Sequence, residues 1–157
     1  MIRDVLSTVH TELADGSTGL NARITALNSA KSTSANAVVT FVTWGDVTGM
    51  PSEIKLPAIM VSEASGRFEL ENQSLRHAEY RIGFAYFTGT VDPSDARDDA
   101  TITLHALAKI LDNLHGNGTI EAVRSGVDFA IMPWPEAGSV YTAFSAVATI
   151  LEHDTSP

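Results

Sequence analysis

Asp92, Asp95, Asp98 and Asp99 crowd the stretch VDPSDARDDA, Val91–Ala100, just after an aromatic run that reads as a β-strand. Carboxylates this close could share a hard cation or divide general acid and general base work between them. Farther along, Asp98, His105 and Asp112 are spaced by seven, which puts them on one helix face, and His115 follows three beyond Asp112, so a metal site can be drawn there as well. Both groups also have a plainer reading. Asp92 stands where an N-cap belongs, Pro93 takes the first helical position, where a missing N–H costs nothing, and Asp95 lies three residues past the cap. The acids then sit at the positive end of a helix dipole. Ala96, Ala100, Leu104, Leu107, Leu111 and Leu114 recur every three or four residues, and Gly116 and Gly118 end the run. The spacing predicts a helix over 93–115 that begins with the acids and carries Asp98, His105 and Asp112 on the polar stripe opposite the leucines.

Other chemistry finds little footing. His10, His77 and His153 lie far apart and fit no HExxH spacing, and there is no G-x-S-x-G, P-loop or G-x-G-x-x-G. The glycines of GDVTG lack the lysine and following helix that phosphate binding needs. The absence of cysteine excludes disulfides, thiol catalysis and cysteine-based zinc or iron–sulfur sites. The sequence therefore reads as a non-enzyme that needs no cofactor and no metal. Its ten Lys and Arg residues are scattered within a chain of net charge −9, whereas a grip on nucleic acid calls for a dense basic stripe. An acidic surface suits a passage through which DNA slides without sticking. No segment approaches the roughly 20 apolar residues of a membrane span, and MIRDVLSTVH lacks the pattern of a signal peptide. The expected location is the cytoplasm, unless the chain leaves inside an assembly.

The remaining elements follow from periodicity and punctuation. Ile2, Val5, Leu6, Val9 and Leu13 form one helical stripe, stopped by Asp15-Gly16. STGLNARITALNSA predicts a second helix, with Ser17 or Thr18 as its cap. Lys31–Asn36 reads as a loop, 37–44 as a strand or extended arm, and Gly45–Pro57 as an exposed loop. AIMVSEA predicts a short strand broken by Ser65-Gly66, with RFELEN as a hairpin partner or arm. The alternation in HAEYRIGFAYFTGT predicts the strongest strand. TIEAVRSGVDFAIMP reads as a strand interrupted near Ser125-Gly126, WPEAGS as a turn, and VYTAFSAVATILEHD as a closing strand. The sum is one α+β domain over residues 1–157: a mostly antiparallel sheet of four to six strands with helices packed on one face, and an arm or loop region over 31–56.

Large apolar side chains in loops are candidate interface anchors. Trp44, Met50 and Trp134 qualify, with Trp134 held extended between Pro133 and Pro135 and Glu136 beside it. Each could equally tuck back over the core.

This order of elements resembles the tail terminator, or tail-completion, proteins of long-tailed bacteriophages. The resemblance is carried by MIRDVLSTVHTEL, the proline-led LPAIMV, HAEYRIGFAYFTGT, the acid-capped DPSDARDDATITLHALAKILDNL, and the final pair TIEAVRSGVDFAIMP and VYTAFSAVATILEHD. It is one of order and spacing and rests on no single motif. Residues 14–55 are longer than the family pattern leads one to expect. The resemblance implies a virion protein assembled in the host cytoplasm. Such proteins form a hexameric ring of identical subunits at the head-proximal end of the tail tube, where they stop polymerisation and face the head's neck. Its partners would be further copies of itself, the tail tube protein and a neck or head-completion protein, with DNA passing through the lumen unbound. The family is structural, so no catalytic residues carry over. A neck adaptor or stopper would share these features, and an unrelated small-molecule-binding or hydrolytic α+β domain would instead need an apolar pocket with converging polar groups.

Overall fold

Val5, Val9 and Leu13 recur at helical spacing, and these three are the fully buried residues of the first helix, α1 (Ile2–Ala14). The computed structural model describes residues 2–43, 54–71, 74–117, 120–124, 126–136 and 139–153. Past α1 the chain turns on Asp15. Its Oδ1 accepts the backbone N–H groups of Thr18 and Ser17 at 2.7 and 2.8 Å, and both their hydroxyls at 3.0 and 2.9 Å. These bonds, the Thr18 N–H foremost, hold the Asp15 carboxyl well below the usual carboxylate range. Ser17 and Thr18 are thus engaged with Asp15 and do not cap the next helix. Gly19 takes the N-cap position, where an added Cβ would lie 2.3 Å from the Asp15 carbonyl oxygen, so only glycine fits.

Helix α2 (Leu20–Lys31) buries Leu20, Ile24 and Leu27 and ends at Ser32, which adopts a left-handed conformation with φ of 55°. The chain then returns along α2 held by two asparagines. Asn28 donates to the Ala35 carbonyl at 2.9 Å and accepts from the Ala35 N–H at 3.0 Å; Asn21 does the same for Val38, at 2.9 and 2.8 Å. Each side-chain amide acts as a neighbouring strand would, so buried backbone is satisfied without a sheet partner. Among the described residues of the expected strand over 37–44, β1 (Thr40–Thr43) has strand geometry and 37–39 do not.

Two long strands follow, β2 (Ala58–Glu71) and β3 (Ser74–Phe87), paired as an antiparallel hairpin. Ser65-Gly66 does not break β2. The ladder shifts register between Glu63 and Ser65, and the strand continues through RFELE. A glycine at 66 makes room for the Tyr80 ring, since a Cβ there would lie 3.1 Å from it. Helix α3 (Pro93–Asp112) comes next and ends at Asp112 rather than at residue 115, with Gly116 at φ 71° in the turn beyond. The chain closes with β4 (Ile120–Val123), β5 (Asp128–Glu136) and β6 (Ser139–His153). Trp134, Pro135 and Glu136 belong to β5 rather than to a turn, and Glu136 pairs with Ser139 of β6.

Among the described residues this makes three helices and six strands in an α+β fold. The sheet runs β1-β2-β3-β6-β4, with β5 also paired to β6; β1 lies parallel to β2 and the other pairings are antiparallel. The alternation read in the sequence places Ala78, Tyr80, Ile82, Phe84 and Tyr86 of β3, with Phe144, Ala146, Ala148 and Ile150 of β6, in one core beneath all three helices. The Tyr86 and Phe144 rings stack there at 5.0 Å. Among the described residues the other face carries a small cluster around Met60, Phe87 and Ala143.

Because β6 runs antiparallel to β3, the two hairpin tips point opposite ways. The β2–β3 tip extends past the His77–His153 pair, and the β5–β6 tip extends past the Phe87–Ala143 pair at the other end.

Candidate interaction surfaces

The four aspartates part company at the start of α3. Asp92 caps the helix, its Oδ1 accepting from the Ser94 and Asp95 N–H groups at 2.9 and 3.1 Å. Asp99 turns inward, 2 % exposed, and accepts from the Asn36 N–H at 2.8 Å, the Asn36 side-chain amide at 3.0 Å and the Thr90 hydroxyl at 2.6 Å. Asp95 and Asp98 remain on the surface. Three fates for four carboxylates make a helix start. Among the described residues no group of three or more His, Asp or Glu is placed to hold a metal ion. His10 lies 3.4 Å from the Phe41 carbonyl oxygen, and His77 pairs with Glu121 at 2.9 Å, so these two histidines serve separate corners of the fold.

Trp44 and Met50 lie outside the described residues. Trp134 and Glu136 stand opposite Tyr141 and Ser139 in the β5–β6 ladder; their side chains lie outside the described residues. Exposed apolar groups occur elsewhere: Phe68 on the β2–β3 hairpin is 62 % exposed, and Phe129, Ile131 and Met132 on β5 are 60 %, 41 % and 38 % exposed. The sequence marked FAIM as strand, and all four of its residues are exposed on β5.

Beside Phe129 lies a groove of about 490 Å³ between the second half of α3 and the segment from β4 to β5. Leu104, Leu111, Val123, Val127 and Phe129 line it with apolar surface, and His105, Lys109, Asp112, His115 and Arg124 line it with polar groups. His105 and Asp112 thus do share the exposed face expected of them, but they border a groove, and Asp98 lies away from it. Arg124 is also bound to Glu79, its Nε and Nη2 donating to one carboxylate oxygen at 3.1 and 2.9 Å.

The prolines of β5 have a positional logic. Thr142, opposite Pro133, directs its backbone away from β5: its carbonyl accepts from the Thr88 N–H at 3.0 Å and its N–H donates to the Thr88 hydroxyl at 3.3 Å. Pro133 therefore sits in a pair that makes no ladder bonds, and Pro135, two residues on, shares its parity. Both missing N–H groups fall on the outer side of the strand, where an incoming strand would find two donors absent.

Compared with known proteins, the chain matches no family model and no curated protein. Among the described residues no helix is long and apolar enough to cross a membrane.

Proposed function

We propose that this chain is a structural virion protein that caps the head-proximal end of a long-tailed phage's tail tube. It does so as a ring, ends tail polymerisation and offers the surface on which the head is joined. The observation that carries this reading is the pair of long hairpins at opposite ends of the sheet, one bearing exposed Phe68 and the other exposed Met132 beside Ile131 and Phe129. A ring of identical subunits closes through head-to-tail contacts, which need two different patches on each copy. Unlike patches on separate hairpins meet that requirement. The net charge of −9 suits a lumen that repels DNA phosphates while they pass. The ring is a hexamer in the family that the element order resembles, and its neighbours there are the tube protein and a neck protein.

A neck adaptor or stopper of the same virion is the second reading, since it needs the same two-patch geometry and differs in its neighbours. Electron microscopy of lysates from the encoding phage with this one gene silenced separates the readings. Overlong, headless tails identify a terminator, and tails of normal length that fail to join heads identify an adaptor. Intact infectious particles would reject both.

A further inference from the structure

β5 has an open backbone edge. Thr142 turns its own N–H and carbonyl toward Thr88, so its partner Pro133, and with it Phe129, Ile131 and Pro135, point their backbone groups away from β6. Among the described residues β6 is the one strand paired to β5. Phe129 and Ile131 therefore present N–H donors and carbonyls outward, whereas Pro133 and Pro135 beyond them present carbonyls without donors.

Open edges are ordinarily guarded by charge, proline or a bulge. The prolines guard the far half of β5. The near half, 129–132, holds no charged residue and is exposed throughout. Phe129 and Ile131 stand opposite Ala146 and Phe144 of the core, so they carry the core face of the sheet out to a rim that no described strand closes.

The pattern of donors selects the occupant. An antiparallel strand laid on this edge must bond at Phe129 and Ile131 and then stop, because a carbonyl brought opposite Pro133 or Pro135 would meet no donor. β5 itself has that form. It begins at Asp128, after Gly126 with φ of 105°, and its outward donors end at Ile131. With Phe129 of one copy opposite Ile131 of the other, and the reverse, each of these N–H groups finds a carbonyl, and Pro133 of each copy falls past the start of the other's strand. The side chains agree with this register. Phe129 lies against Ile131, Ala130 meets itself on the axis, and Asp128 faces Met132, so no like charges are opposed.

We infer that β5 pairs with β5 of a second copy, antiparallel and about a two-fold axis at Ala130, so that two sheets continue into one. The contact is isologous and closes as a dimer. It goes beyond the ring reading and does not depend on it; where both hold, the dimer covers the β5 patch and keeps free copies out of the ring.

The lack of cysteine makes the register testable. Ala130 opposes itself in a pair without ladder bonds, where Cα atoms lie about 4.5 Å apart, within disulfide reach. Ala130→Cys under mild oxidation is expected to give a disulfide-linked dimer. Asp128→Cys, also exposed, is not, because its counterpart lies opposite Met132. Asp128→Cys and Met132→Cys chains, once mixed, are expected to link to each other. Ile131→Pro removes an outward donor and leaves the β6 ladder intact, and it is expected to weaken dimerisation roughly tenfold or more by sedimentation. If its far-UV spectrum shows unfolding, Ile131→Glu, which charges the edge, carries the same expectation. A dimer without the Ala130 disulfide places the contact elsewhere and rejects this pairing. A disulfide that forms as readily at Asp128→Cys reports another register and also rejects it. Multimers larger than a dimer, without the disulfide, support the ring and reject this contact. A chain that stays monomeric at millimolar concentration with no disulfide rejects the pairing too, and leaves the ring reading to the silenced-gene lysates.

Discussion

The carboxylate of Asp99 grips Asn36 twice, taking its backbone N–H at 2.8 Å and its side-chain amide at 3.0 Å, and so ties the start of α3 to the segment returning from α2. Buried, it also accepts from Thr90. Asp99→Ala would leave those donors without a partner, at a cost of about 3 kcal/mol in urea unfolding. Asp98→Ala, one residue away on the surface, is expected to change stability by no more than about 0.5 kcal/mol. Equal effects at the two positions would show that Asp99 is not the clamp described.

Asp92 acts on the same helix through its cap. Asp92→Ala removes the acceptor for the Ser94 and Asp95 N–H groups, and the expected loss is about 1 kcal/mol. Asp92→Ser should recover most of it. The check is the denaturation midpoint of both variants with the slope unchanged.

The Tyr86 hydroxyl is buried within reach of Thr103, yet among the described residues it satisfies full hydrogen-bond geometry with no group, and Thr103 Oγ1 is in the same position. Burial, with the nearby Asp99 charge adding to it, pushes the phenol far above its ordinary value. The folded state keeps the proton while the unfolded chain releases it near pH 10, so this contribution to stability is complete below that pH and declines above it. Tyr86→Phe is therefore expected to be neutral or to stabilise by up to about 1 kcal/mol at pH 7. Above pH 10 its advantage over the parent should widen, measured as the difference between their urea midpoints.

Asp15 gives the opposite sign. Its carboxylate is depressed by the Thr18 and Ser17 bonds, so the stability it confers is present above the unfolded value of about 4 and fades as pH falls toward the lower folded value. Asp15→Asn should be less stable than the parent at neutral pH, with the gap closing in acid. A gap that persists unchanged into strong acid would mean the carboxylate charge is not its source.

What could be read in the sequence was local. The α3 cap, the Val5, Val9, Leu13 stripe and the alternation of β3 are each set by neighbours a few residues away, and each appears where the pattern puts it. What could not be read was who stands opposite. Asp99 finds Asn36 at a separation of 63 residues. Ser65-Gly66 carries break chemistry, but its role is a bulge and a space for Tyr80. Pro133 and Pro135 argued for a turn because nothing local says that β5 has β6 on one side only, where missing N–H groups are tolerated. The groove is assembled from α3, β4 and β5 surfaces, so no single stretch contains its signature.

The pairing of β3 with β6 also governs the order in which the molecule can be made. Each hairpin joins strands adjacent in the chain, but the β3–β6 seam joins strands separated by α3, β4 and β5. Contacts this distant in sequence close late, after local structure has formed. On a ribosome, the β2–β3 hairpin and α3 emerge and can form while the edge of β3 waits, and the centre of the sheet cannot be completed until synthesis has passed His153.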